Sequence, residues 1–183
     1  MVKKLFDVIF AGTVFCFLSW LIILLWFLAS IDTKSNGFFI HKRIGQFGNP
    51  FFIIKVKSIR WKDNVKMISL FGNFIRKTKL DELPQLINII RGEMSFVGPR
   101  PDICGYYNHL KGEDRILLEL KPGLTSLASL KYADEEGILL QQKNPMEYND
   151  TVIFPDKVKM NLDYYYHNNL FIDIKIIIKT ILR

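Results

Sequence analysis

The sequence predicts a mostly helical α+β domain embedded at a membrane, with an N-terminal re-entrant membrane helix, a small β-hairpin and amphipathic interfacial helices. Three observations carry this expectation. From Val8 to Ile31 there are 24 consecutive residues without a charge, bounded by Asp7 and Asp32. Two β-prone runs, Phe38 to Ile44 and Phe51 to Ile59, are separated by Gly45, Gly48, Asn49 and Pro50. Further on, Leu70 to Lys79 and Ile172 to Leu182 interleave apolar and basic residues, as helices lying on a membrane surface do.

As a helix, the uncharged stretch is about 36 Å long, enough for the roughly 30 Å hydrocarbon layer of a bilayer. A secretory signal has a shorter apolar region, about 7 to 15 residues. Residues 1–33 therefore read as a membrane anchor and 34–183 as the region that carries the chemistry. Lys3 and Lys4 precede the stretch, and 23 of the 25 Lys and Arg follow it. Positive charge favours the cytoplasmic side, so basic flanks at both ends favour a helix that dips in and returns. A helix that crosses with its N-terminus outside is the alternative.

A net charge of +7 and a pI near 9.4 suit a protein that rests against anionic lipid or handles phosphorylated substrates. Nucleic acid is the rival partner, but the anchor and the lack of a helix-turn-helix, zinc-finger or RNP-type motif argue for no nucleic acid. Cys16 and Cys104 suggest no disulfide framework, and His41, His109 and His167 have no metal-ligand spacing.

Taken in order, the two β-prone runs and the turn residues between them form a hairpin. Alternation puts Lys55 and Lys57 together on its exposed face, for which a plain solvated strand face is the ordinary reading. Leu70 to Lys79 is a short basic amphipathic helix. Leu83, Leu86, Ile87 and Ile90 follow helical spacing and stop at Gly92, which places Asp81 at the helix start as a candidate N-cap, with Pro84 tolerated in the first turn. Phe96 to Pro101 is a stiff loop holding Arg100 between two prolines, and Lys121-Pro122-Gly123 marks another turn. Pro145 and Pro155 flank a surface insertion. The region from Tyr132 to Pro155, with its acidic cluster Asp134, Glu135 and Glu136, is a candidate for substrate selection or a plain solvated loop. The Ile-rich C-terminus forms an interfacial helix.

Adjacent carboxylates at a helix start are commonly capping groups, so Asp81 and Glu82 gain meaning only from their surroundings. Those are Lys79-Leu80-Asp81-Glu82-Leu83-Pro84-Gln85-Leu86, followed by Met94-Ser95-Phe96-Val97-Gly98-Pro99-Arg100-Pro101. Together the two blocks closely resemble the signature of the bacterial sugar transferase family, the monotopic phosphoglycosyl transferases. The resemblance extends to Lys57 in the hairpin, the Lys121 to Thr125 block, and Asp163-Tyr164 before the terminal helix, so it covers nearly the whole chain. Departures are Trp20 after Ser19, where the family's anchor has proline, Ser126 where glycine usually follows the threonine, and Val56 in place of an aromatic residue.

The resemblance implies a phosphoglycosyl transferase on the cytoplasmic face of the bacterial inner membrane. Such an enzyme moves a sugar 1-phosphate from a UDP-sugar to polyprenyl (undecaprenyl) phosphate and releases UMP, using Mg2+. This is the first membrane step in making a glycoconjugate such as exopolysaccharide, capsule, O-antigen or a glycoprotein glycan. By the same resemblance Asp81 is the covalent nucleophile and Glu82 assists the second half-reaction. Lys57, Arg76 and Arg100 bind substrate phosphate, and Asp81 and Asp163 hold the metal. The chemistry is consistent with these residue types, since a carboxylate can take up a phosphoryl group covalently and fixed cations offset anion–anion repulsion. The rival reading is a catalytically inactive membrane-anchored scaffold, which would use the basic face to bind anionic lipid or partner proteins and would have no use for Asp81.

Overall fold

The computed structural model describes residues 2–63 and 65–183, the side chain of Lys62 excepted. The fold is mostly helical with three small strand pairs among the described residues, and the chain divides into two compact units, Met1–Arg43 with Pro50–Met94, and Ile44–Asn49 with Ser95–Arg183.

The first unit begins with α1, Val2–Thr33, an unbroken helix that contains the whole uncharged stretch. Only a few of its side chains are buried, among them Ala11, Ile22, Leu25 and Ala29, whereas Phe17, Trp20, Ile23 and Phe27 are exposed. Its hydroxyls bond back to the helix itself: Thr13 to the carbonyl of Ile9, Ser30 to that of Trp26, and Thr33 to that of Ala29. At Ser19, which lacks the usual proline after it, Oγ donates to the Cys16 carbonyl at 3.1 Å. Hydroxyls satisfied in this way suit the uncharged Val8 to Ile31 stretch to an apolar surrounding.

Strands β1, Phe38–Ile44, and β2, Pro50–Val56, pair as the hairpin, whose base is closed by Lys57 N–H donating to the Gly37 carbonyl at 2.7 Å. The second strand ends at Val56 rather than Ile59, because the chain turns into a further antiparallel pair, β3, Arg60–Lys62, and β4, Val65–Met67. Next comes α2, Leu70–Lys77, capped by Ser69, whose Oγ accepts from Gly72 N–H and donates to Asp32 at the end of α1. Residues Leu80–Gln85 form a 3-10 turn that leads into α3, Leu86–Ile90, and Gly92 (φ 76) stops the helix where the sequence predicts. One apolar cluster ties these pieces together: Leu25 and Ala29 of α1, Val56 of β2 and Ile75 of α2, with Leu80 and Leu83 of the turn packed against them.

In the second unit, β5, Ser95–Val97, lies parallel to β6, Gly123–Thr125. The Lys121-Pro122-Gly123 segment, expected to be a turn, therefore opens a strand: the Pro122 carbonyl accepts from Ser95 N–H, and Gly123 N–H donates to Pro99. The two backbones come so close at Gly98 and Gly123 that a Cβ on Gly123 would lie 2.2 Å from Gly98 N. Ser126, the residue that departs from the family's glycine, caps α4, Leu127–Lys131, by accepting from Ser129 N–H.

Helix α5, Glu135–Leu140, is followed by α6, Pro145–Tyr148, which runs through a π-turn at Asn149–Ile153 into α7, Phe154–His167. The surface insertion expected between Pro145 and Pro155 is largely exposed and helical; Pro145 sits in the first turn of α6, where its missing N–H costs nothing, and Pro155 directly follows the π-turn that interrupts the regular helical ladder. Tyr107, Leu110, Leu117, Leu118 and Val158 form the core here. The last element, α8, Leu170–Ile181, is helical as expected, with Asp173 and Ile176 buried and Phe171, Ile178 and Ile181 exposed. Its Asp173 accepts from Tyr164 Oη at 2.5 Å, and the same hydroxyl reaches the Val97 carbonyl at 3.3 Å, so β5, α7 and α8 meet at one buried tyrosine.

The backbone contact at Gly98 and Gly123 generates a prediction. Gly123→Ala forces two strands apart and lowers stability by about 1–3 kcal/mol, the usual range for overpacking. Gly12→Ala, where an added Cβ meets nothing within 4 Å, is neutral or gains up to about 1 kcal/mol as a helix substitution. Thermal unfolding of the two variants decides it; equal midpoints would contradict the close approach.

Candidate active site

Lys79 takes a left-handed conformation (φ 58), and this sharp reversal ends α2 and starts the 3-10 turn at Leu80. Asp81 is therefore already inside the turn and caps nothing, in contrast to its expected N-cap role. Its side chain and that of Glu82 are both buried, with 7% and 6% of their surface exposed. The Oδ1 atom of Asp81 is buried and has no hydrogen-bond partner. An ionised oxygen in that position is costly, because burial removes its water without supplying a replacement.

Burial, and secondarily the neighbouring Glu82 charge, push the Asp81 carboxyl up to about 6. Lys55, Lys79 and Arg76 pull in the opposite direction and keep the anion within reach of neutral pH. Glu82 is held in place by Lys55, whose ammonium donates to Oε1 at 2.9 Å. The result is a buried carboxylate pair with one oxygen bonded to a lysine and another left open, set among fixed cations.

Of the expected site residues, the structure brings Asp81, Glu82 and Arg76 together in the first unit. Lys57 lies just past β2, where its ammonium donates to Ser35 Oγ at 2.7 Å. Arg100 follows the Gly98-Pro99 corner of the second unit and is exposed. Asp163 is in the last turn of α7, with an exposed carboxylate 3.1 Å from His167 Nδ1. It lines a groove of about 220 Å3 with Tyr164, Ile172, Lys175, Ile176 and Lys179.

Lys55 is the residue that sequence reasoning misplaced. It was expected on the exposed hairpin face beside Lys57, yet it is half-buried and points at Glu82. The signal was present in β2: Phe51 and Ile53 are the buried positions, and Lys55 continues their phase.

Among the described residues no three His, Cys, Asp or Glu side chains cluster as a cage for a metal ion. Mg2+ needs no such cage, because it binds through one or two carboxylates and takes its other ligands from water and substrate phosphates. The open Oδ1 of Asp81 is a hard oxygen of the kind such an ion accepts, so the residues present fit it.

A site of this kind can be compared with known proteins. The family model described as bacterial sugar transferase matches residues 1–183. A UDP-galactose-lipid carrier transferase of Erwinia amylovora is 31% identical over 98% of this chain and 39% of its own length. The exopolysaccharide production protein ExoY of Rhizobium meliloti is 30% identical over 99% of this chain and 84% of its own length. A UDP-glucose:undecaprenyl-phosphate glucose-1-phosphate transferase of Xanthomonas campestris is 31% identical over 84% of this chain and 33% of its own length. The chain thus spans only 39% and 33% of the Erwinia and Xanthomonas relatives, but most of the Rhizobium one. With a match that runs from end to end and takes in the buried Asp81–Glu82 pair, the chain belongs to the bacterial sugar transferase family.

Proposed function

We propose that this chain transfers a sugar 1-phosphate from a UDP-sugar to undecaprenyl phosphate at the cytoplasmic face of a bacterial inner membrane, in the making of a polysaccharide or related glycoconjugate. The observation that carries the reading is Asp81, a buried carboxylate with one oxygen left without a hydrogen bond beside a second carboxylate. A fold tolerates such a group where the open oxygen has work to do. Relatives named for transfer from UDP-glucose and to undecaprenyl phosphate support the substrate classes.

In the first half-reaction an Asp81 oxygen attacks the phosphorus next to the sugar. The bond from that phosphorus to the bridging oxygen breaks, and UMP leaves with the electron pair, giving an aspartyl phosphosugar. In the second, an oxygen of the lipid phosphate attacks the same phosphorus and the Asp81 carboxylate departs, which forms the polyprenyl diphosphate sugar. Glu82 accepts a proton from the lipid phosphate or orients it, and Lys55 keeps Glu82 in place for that task. Arg76 supports the phosphates as a bidentate donor and Lys57 as a compact charge. The resemblance further assigns Arg100 to phosphate and Asp163 to a cation. The open Asp81 oxygen would hold Mg2+, which would supply counter-charge to the diphosphate when bound.

Residues 1–33 serve as the anchor and 34–183 as the catalytic region. The apolar exterior from Val8 to Ile31 suits α1 to lipid. A re-entrant path, which keeps both basic flanks on the cytoplasmic side where UDP-sugars are found, requires this helix to bend in the bilayer, at a group such as Ser19 that bonds back to a helix carbonyl. The exposed Phe171, Ile178 and Ile181 of α8, together with Lys175 and Lys179, suit that helix to the same interface.

Asp81→Asn is expected to lower UMP release from a UDP-sugar panel, assayed with polyprenyl phosphate, by at least about a thousandfold; retained turnover would remove Asp81 as nucleophile. Because the attacking group must be ionised, wild-type turnover rises with pH through about 6. Stability moves the opposite way. A carboxyl raised from 3.8 to about 6 stabilises the fold below pH 3.8, and that contribution is lost as pH rises through 6. At neutral pH the buried anion costs roughly 3 kcal/mol, so Asp81→Asn gains on wild type between about pH 4 and 7 when the two are compared by denaturant unfolding. For topology, single cysteines placed before Lys3 and after Asp32, in a chain with Cys16 and Cys104 replaced, are expected to label from the same side of the membrane. Labelling from opposite sides would rule out the re-entrant path.

A further inference from the structure

Asn88 interrupts an apolar helical run, Leu86-Ile87-Asn88-Ile89-Ile90, and is completely buried. Each polar group of its side chain is engaged. Nδ2 donates to the Phe52 carbonyl at 2.7 Å and to Glu93 Oε2 at 2.7 Å, and Oδ1 accepts from Ile54 N–H at 3.3 Å. Its own carbonyl accepts from Glu93 N–H at 3.0 Å and Met94 N–H at 3.3 Å.

The partners on β2 are revealing. In a strand, the carbonyl of one residue and the N–H of the residue two further on point to the same edge, and a neighbouring strand of a parallel ladder satisfies both with one residue's peptide groups. The Asn88 carboxamide takes that place on β2, bonding Phe52 and Ile54 along the edge not paired with β1. Lys55 follows Ile54 directly, and its ammonium meets Glu82, six residues before Asn88. A one-residue slip of β2 would move its backbone about 3.3 Å and turn Lys55 to the other face of the hairpin.

We infer that Asn88 is a positioning residue: its carboxamide stands in for a missing strand and fixes the register of β2 on α3, which is what brings Lys55 to Glu82. With every polar atom of its side chain occupied, it acts through Lys55 and has none to offer substrate. The inference rests on the proposed transferase reading and adds to it a residue whose loss impairs turnover rather than substrate binding.

The test is a double-mutant cycle on the full-length chain, with UMP release from a UDP-sugar measured in the presence of polyprenyl phosphate and normalised to folded protein. Asn88→Ala is expected to lower kcat on the order of ten- to a hundredfold, with KM for the UDP-sugar within about threefold. Lys55→Met is expected to lower kcat at least as much. The double variant should fall no further than about threefold below Lys55→Met, because Asn88 has nothing left to position. Unchanged kcat in Asn88→Ala, a loss that appears mainly in KM, or losses that multiply in the double variant would each overturn the inference. If Asn88→Ala does not fold, Asn88→Asp, which keeps the acceptor for Ile54 and loses both donations, and Glu93→Ala, which removes one acceptor, enter the same cycle under the same criteria. A wild-type chain that releases no UMP, or an active Asp81→Asn, removes the transferase reading and this inference with it. Wild-type turnover that depends on Asp81 with multiplicative losses at Asn88 removes the inference alone.

Discussion

A negative charge kept from water is the constraint on which the first unit depends. Asp81 and Glu82 are adjacent, both buried, and both carry the same sign when ionised. Such a pair is stable only if cations stand close and the backbone leaves no freedom to swing the carboxylates outward. The surrounding structure supplies both. The left-handed Lys79 forces a tight turn, Leu80 and Leu83 anchor that turn in the apolar cluster with Leu25, Val56 and Ile75, and Lys55 reaches across from β2. Apolar packing thus sets where the charges lie, and the charges in turn limit which packing is acceptable.

Much of the architecture was legible in the sequence because it follows from local rules. The uncharged run is one helix, the glycine-rich break is a hairpin tip, Gly92 ends α3, and the Ile-rich C-terminus is a helix with two basic residues on it. The errors came where long-range pairing overrides local preference. Lys121-Pro122-Gly123 has turn chemistry, but the approach of Gly98 gives Gly123 a strand partner.

The site shows the same division. The motif blocks single out Asp81 and Glu82 and the resemblance adds Arg76, and the structure places these three in one unit. That Asp81 caps nothing follows from the left-handed Lys79, which has no local signature, and the partner of Lys55 is a carboxylate 27 residues away in sequence, although the burial phase of β2 already turns Lys55 inward. Asn88, a single amide among isoleucines, has no local signature; its importance lies in the strand edge it faces.

The parallel pairing of β5 with β6 has a kinetic consequence. Antiparallel partners can be joined by a two-residue turn, but parallel ones require the chain to travel back the full length of the strand before it can pair. Here residues 98–122 make that journey, and they contain much of the second unit's core, including Tyr107, Leu110, Leu117 and Leu118. Closing so long a loop is entropically unfavourable until its own contacts have formed. The three-residue strands are too short to drive it, so in the second unit collapse of the excursion comes first and strand registration last.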